Sequence, residues 1–411
     1  MESKFTSDFF AANRIKLREL FTGTAPVVVT ANGLLQKGGD STYSFSQDAN
    51  FWYLTGIDEP DIVLVMDRDD EYLIVPGRSD SRQAFDGAVQ YDELSRRSGI
   101  KVVYDDQAGW QKLGSRIKKV KHVATLAVPL PYVEQYGLYT NPARAALVDK
   151  LKAHNPELEL LDLHSHLIRQ RMIKQPEEIA AIQTAIDITI ASIKDATRTS
   201  KLQDYGYEYE LEAELGRGFR RRGARGQAFE SIVSSGKRAC VLHNVANNGR
   251  LAADELVLMD VGAEVEHYAA DITRTISLGG TPSRRQQMVY EAVLEVHSFA
   301  LSLLKPGILL KDYEQQVERF MGEKQRELGL IKTADHQNVR KYYPHATSHF
   351  LGLNVHDVGD YSRPLEAGVV MTVEPGIYIP EESIGIRIED DILLTPNGPE
   401  ILTAKLPRKL S

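Results

Sequence analysis

The chain has 411 residues, of which 42% are hydrophobic and 26% charged, with a formal net charge of −8. That length exceeds one ordinary domain and predicts two, each with enough apolar mass for a real core. The acidic balance argues against nucleic acid or an anionic membrane as a partner.

The single cysteine, Cys240, leaves no internal disulfide and no CxxC metal or redox site, and is expected to be a packed small hydrophobe. The first residues, MESKFTSDFF, lack the basic segment, apolar core and cleavage site of a signal peptide. No uninterrupted apolar run approaches the ~20 residues that span a bilayer. A cytoplasmic protein with no membrane partner is the expectation.

In chain order, a helix is predicted over about 7–21, opened by Ser7 or Asp8 as a cap. Strands follow at 26–30, 62–66 and 72–75, the last two joined as a hairpin through the charged stretch Asp67 to Glu71. The aromatic run Phe51, Trp52, Tyr53 suits a buried strand or an exposed entrance feature. A domain boundary is expected at 164/165, just ahead of QRMIKQPEEIAAIQTAIDITIASIKDA. There Pro176 suits a first helical turn, Glu177 and Glu178 suit its dipole, and Ile179, Ile182, Ile186, Ile190 and Ile193 fall on one helical face. Further helices are expected near 206–222, 282–304 and 311–328, the first ending in the basic run Arg220-Arg221-Arg222 and the last closed by Gly329. Strands are expected at 256–261, 270–278, 369–375 and 384–394. The second domain therefore reads as α+β.

Its acidic and histidine residues stand out against this apolar background. Asp260 ends one strand and Asp271 lies just inside the next, so antiparallel pairing would bring the two carboxylates together. His345, His349 and His356 follow in HATSHFLGLNVHD, then Glu374 in TVEPG and Glu389 in GIRIEDD. A carboxylate within a run of Val, Ile and Leu is costly unless paired or coordinated. Two aspartates, one histidine and two glutamates give four hard oxygen donors with one imidazole. Such a set suits two divalent ions about 3.5–4 Å apart with shared carboxylates, and not a cysteine-rich structural zinc. HExxH is absent, which excludes the mononuclear zincin arrangement.

The segments LVLMDVGAEVEHYAADITRT, YYPHATSHFLGLNVHDVG, VVMTVEPGIYIP and IGIRIEDDILLT resemble the aminopeptidase P and prolidase branch of the pita-bread metallopeptidases, and YSFSQDANFWYLTGIDEPD resembles the N-terminal domain of the aminopeptidase P type. The resemblance implies an α/β N-terminal domain over 1–164 and an α+β pita-bread (creatinase/aminopeptidase-like) catalytic domain over 165–411. It implies hydrolysis of an N-terminal Xaa-Pro bond by a hydroxide bridging two divalent ions, Mn²⁺ foremost, with Co²⁺ or Zn²⁺ as alternatives. Asp260 would chelate one ion, Asp271 and Glu389 would bridge both, and His349 and Glu374 would complete the second.

By the same resemblance Glu374 would also be the general base. His243, His345 and His356 would hydrogen-bond substrate and oxyanion, Arg387 would support this shell, and Tyr378 lies near the site without a clear role. The remaining histidines, at 122, 154, 164, 166, 267, 297 and 336, match nothing in the family site. His164 and His166 have strand-like spacing, and His267 suits the turn between the two aspartate strands. The partners implied are peptides with proline second and further copies of the chain, as a homodimer or homotetramer.

The alternative is an Xaa-Pro dipeptidase (prolidase), which needs a cation for the substrate carboxylate, with Arg363 as candidate. A non-catalytic pita-bread binding module would have lost ligands that are all present here. Asn244, Lys237, Arg238 and Asn354 depart from the family pattern and bear on the substrate pocket rather than on the ligands.

Overall fold

The computed structural model describes residues 4–68, 70–126, 133, 135–279 and 281–410. The chain divides into two compact units, Phe5–Gln170 and Arg171–Ser411, the second also taking in Lys4. The division falls inside α3 (His164–Met172), whose first residue is where the boundary was expected. A helix that runs through a boundary leaves no change of composition to mark it. His164 and His166 are accordingly helical rather than extended, and His164 Nδ1 is bonded to Asp162 Oδ1 at 2.6 Å.

In the first unit, α1 (Ser7–Leu20) precedes strands β1 (Val27–Thr30), β2 (Val63–Asp67), β3 (Asp70–Val75), β4 (Val102–Asp105), β5 (His122–Thr125) and β6 (Glu159–Asp162). The residue before α1 is Thr6, which makes no side-chain cap, so neither Ser7 nor Asp8 opens the helix. The sheet order is β4-β3-β2-β1-β5-β6. β2 and β3 form the expected antiparallel hairpin, although Asp69 in its connection lies outside the described residues. Val28, Val65, Tyr72 and Ile74 meet Trp110 and Leu113 in its core.

Phe51, Trp52 and Tyr53 are in helix α2 (Ala49–Thr55), not a strand. Asp48 caps it by accepting from the Asn50 and Phe51 amides at 3.0 Å each, and Gly56 ends it at φ 67°. A cap of this kind contributes about 1 kcal/mol, and only a residue without a side chain fits at Gly56, because a Cβ there would lie 2.3 Å from the Phe10 ring. The three aromatics are at most 2% exposed, with Trp52 packed on Phe5 and Phe10 and Tyr53 on Phe9, so they build this unit's core rather than an entrance.

The second unit opens with α4 (Pro176–Ala196). Its Glu178 side chain accepts the Gln175 amide at 2.8 Å, and Ile182, Ile186, Ile190 and Ile193 form its buried face, with Ile179 half-buried. Helix α5 (Glu208–Arg221), strands β7 (Ile232–Ser235), β8 (Leu256–Val261) and β9 (Ile272–Ser277), and helices α6 (Arg284–Leu303) and α7 (Leu310–Glu327) follow. β7-β8-β9 form one antiparallel sheet. Then come β10 (Val370–Val373), β11 (Gly376–Ile379), β12 (Ile384–Arg387), β13 (Asp390–Thr395) and β14 (Gly398–Ile401).

The stretch 384–394, read above as one strand, is two. β12 pairs with β11 and β13 pairs with β10, both antiparallel, so the whole is one long hairpin broken on both arms at the same level. The break lies at Glu374-Pro375 on one arm and Ile388-Glu389 on the other. Pro375 has no N–H to give the ladder. The glutamate amides turn elsewhere: Glu374 N–H donates to Thr347 O at 2.9 Å and Glu389 N–H to Thr273 O at 3.1 Å.

Candidate metal centre

That double break sets the site. It leaves Glu374 and Glu389 side by side, out of the regular ladder, and ties one to the 345–349 segment and the other to β9. Antiparallel pairing of β8 with β9 sets Asp260 opposite Thr273, and Asp271 immediately precedes β9 rather than lying within it. His349 is held to β10 by the bond from Thr372 N–H to His349 O at 2.9 Å.

Donor atoms of Asp271, His349 and Glu389 all lie within 4.8 Å of one another. His349 Nε2 is 3.5 Å from Asp271 Oδ2 and 3.3 Å from Glu374 Oε1. Its Nδ1 lies 3.1 Å from the Phe350 carbonyl, which can only accept, so Nδ1 is the donor there and Nε2 is the nitrogen turned toward the carboxyls. Asp260 Oδ2 accepts from Arg387 Nη2 at 2.5 Å, while Asp260 Oδ1 is buried with no hydrogen-bond partner.

Burial, with Asp260, Asp391 and Glu374 close by, pushes the Asp271 carboxyl well above its usual range. Burial beside Asp271 and Glu374 does the same to Glu389. Burial also raises Glu374 to about 7, although His349 and Arg387 oppose it. Buried carboxyls that raise one another, an imidazole Nε2 turned toward them and an orphaned Asp260 oxygen fit divalent cations, which would supply the compensating charge.

The other expected residues divide. Arg387 links Tyr378 and Asp260 and also donates from Nε to Thr273 Oγ1 at 3.0 Å. His345 Nδ1 donates to Ala346 O, and its Nε2 accepts from the Tyr378 hydroxyl, both at 2.8 Å. Burial and then Arg387 lower its pKa to about 3, so the ring is neutral. In this structure His345 is thus bonded to Tyr378. His356 stands at the edge of the site, its ring 4.3 Å from that of His349, and His243 is exposed on a neighbouring loop.

Sequence reasoning missed Thr273 and Asp391. The Thr273 hydroxyl donates to Glu389 Oε2 at 2.6 Å, and Asp391 Oδ2 accepts the Asp271 amide at 3.1 Å. The run Glu389-Asp390-Asp391 in an apolar strand was the available signal for Asp391, whereas a threonine in a strand carries none.

Among the departures, Asn244 donates to Ser234 Oγ at 2.9 Å and Arg238 pairs with buried Glu208 at 2.7 Å. Lys237, Asn354 and Arg363 are exposed.

The family model for metallopeptidase family M24 matches residues 180–396, and that for the aminopeptidase P N-terminal domain matches 10–124. The chain belongs to metallopeptidase family M24. It is 34% identical to a Haemophilus influenzae Xaa-Pro aminopeptidase, covering 92% of this chain and 89% of that one. It is 32% identical to the Escherichia coli Xaa-Pro aminopeptidase, covering 99% and 97%. Among solved structures, Escherichia coli aminopeptidase P with the inhibitor Pro-Leu superposes with a TM-score of 0.88 at 31% identity, again over 99% and 97%.

The architecture is therefore that of the aminopeptidase P branch of M24, an α/β N-terminal domain with a pita-bread catalytic domain, as the resemblance implied. The M24 centre is a hydrolase site that takes divalent metal. Among the described residues no helix is long and apolar enough to cross a membrane.

Proposed function

We propose that the protein removes the N-terminal residue from peptides with proline second, using two divalent ions, Mn²⁺ first among them. Asp260, Asp271, His349, Glu374 and Glu389 would hold the pair, with Asp271 and Glu389 shared. Bound there, the ions would lower the pKa of a water toward neutrality and polarise the scissile carbonyl. The observation that carries this reading is the convergence of the carboxyls on Nε2 of His349. The Xaa-Pro specificity of the relatives supports the substrate class.

Glu374 would also act as the general base, taking a proton from the attacking water and returning it to the proline nitrogen that leaves. His243 and His356, exposed at the edge of the site, can still offer N–H groups to substrate and to the tetrahedral oxyanion. Asp260, Arg387, Tyr378 and His345 form one hydrogen-bonded chain at the site, and His345 is proposed to act on the substrate with His243 and His356. Aminopeptidase rather than dipeptidase is favoured because the similar relatives are Xaa-Pro aminopeptidases. A homodimer or homotetramer belongs to the same proposal.

The test is an assay of Mn²⁺-loaded protein on a matched Xaa-Pro dipeptide and Xaa-Pro-Yaa tripeptide. Cleavage of both at the first bond supports the proposal, and inertness toward both overturns it.

A further inference from the structure

Next to the metal centre lies a second charged cluster that catalysis does not use. Asp357 bonds Arg171 Nη2 through Oδ1 and Lys174 Nζ through Oδ2, the latter at 3.0 Å, and all three side chains are at most 2% exposed. Lys174 Nζ also donates to Arg171 O at 2.8 Å. Although burial pushes the Asp357 carboxyl up, the two cations outweigh it and hold the group below its usual range. Buried ion clusters are weak stabilisers compared with packed apolar residues, so their value lies in the geometry they fix.

Two contacts show which geometry. Asp357 N–H donates to Phe350 O at 2.8 Å, and that same carbonyl accepts His349 Nδ1 at 3.1 Å. Asp357 also directly follows His356, whose ring packs on that of His349. The loop is drawn tightly over the cluster. A Cβ at Gly352 would fall 2.2 Å from Asp357 Oδ2 and 2.9 Å from Lys174 Cε.

We propose that Asp357, clamped by Arg171 and Lys174, is a positioning residue for the metal centre: it fixes the Phe350 carbonyl that aims His349 Nε2, and sets His356 beside it. This rests on the reading of His349 as a metal ligand. The residues at the start of the catalytic unit thereby govern the orientation of an imidazole far along the chain.

The experiment titrates Mn²⁺ into metal-stripped full-length protein by calorimetry, comparing wild type with His349→Ala, Asp357→Asn and Lys174→Met. Thermal melts establish that each is folded. Asp357→Asn should weaken Mn²⁺ binding by about 10–100-fold, the range for losing an outer partner of a ligating histidine. Lys174→Met, which leaves the Asp357–Arg171 pair charge-balanced, should act in the same direction by less, and it decides the matter if Asp357→Asn does not fold. In steady-state assays both should lower kcat with little change in KM. Lost stability alone would not move the dissociation constant of folded protein. Wild-type Mn²⁺ affinity in the folded Asp357 and Lys174 variants, with His349→Ala weakened, overturns this inference alone. Wild-type affinity in His349→Ala as well overturns the ligand reading beneath it.

Discussion

Thr273 and Glu389 are joined twice across the site: the Glu389 amide donates to the Thr273 carbonyl at 3.1 Å, and the Thr273 hydroxyl donates to Glu389 Oε2 at 2.6 Å. Arg387 Nε completes the arrangement by donating to the same hydroxyl. One carboxylate oxygen is thus oriented by a side chain whose own lone pair is satisfied. Thr273→Val keeps the branched shape and the backbone bond and removes the two hydroxyl bonds, to Glu389 and from Arg387. It should weaken metal binding by about 10–100-fold, read as the Mn²⁺ dissociation constant; unchanged affinity would show that Glu389 needs no such support.

Metal dependence follows from the carboxyl cluster. A chelator should abolish activity, and Mn²⁺ or Co²⁺ should restore it. Asp271→Asn and Glu389→Gln should abolish turnover, since each removes a charge proposed to be shared by both ions. Full activity in protein shown to be metal-free by elemental analysis would exclude the two-ion proposal.

Glu374 and the rim histidines should separate in kinetics. Glu374→Ala should lower turnover by several orders of magnitude, having lost a ligand and the base together. His243→Ala and His356→Ala should each cost about 10²–10³ in kcat, the range for one transition-state hydrogen bond, with metal content intact. A His356→Ala protein that elutes without metal would make His356 a ligand and reverse the division drawn above.

Substrate length decides between the aminopeptidase and dipeptidase readings. Proline has no N–H and a fixed φ, so the enzyme must accommodate its ring while leaving the chain beyond it unobstructed. Xaa-Pro-Yaa and longer peptides should be cleaved at least as well as Xaa-Pro, with Arg363→Ala changing KM little. Strict restriction to dipeptides and a large rise in KM on losing Arg363 would establish the dipeptidase, since a bidentate arginine is the strong clamp for a carboxylate.

Away from the site, Glu214 is held at a pKa of about 2, chiefly by its bonds to Arg217 and Lys201. A carboxyl depressed in the folded state adds stability above its unfolded pKa of about 4.3, and that stability is lost as pH falls toward the folded value. Melting temperatures of wild type and Glu214→Gln should therefore differ most at pH 6, by less near pH 3, and converge only below about pH 2. A constant gap would show that the pairing contributes nothing.

The sequence by itself determined the donor types, their order and most of the elements that carry them. Asp260 and Asp271 near the ends of apolar strands, and Glu374 and Glu389 in Val- and Ile-rich runs, were legible because ionisable groups there are costly without a cation. The helices were legible because Pro176 and Gly329 mark ends and the isoleucines of α4 repeat at helical spacing. What the tertiary structure decided were matters of pairing between distant segments. A strand pattern with period two runs on through Ile388 and Glu389, so nothing local announces that the hairpin breaks there; the break exists because the Glu389 amide finds Thr273 and Pro375 has no N–H to offer. Phe51, Trp52 and Tyr53 fit strand or helix by composition, and the Asp48 cap together with Gly56 beneath Phe10 selected the helix. The contacts of His345 were likewise invisible, since which ring nitrogen carries the proton is set by the Ala346 carbonyl and the Tyr378 hydroxyl, and such partners are met only once the chain has folded.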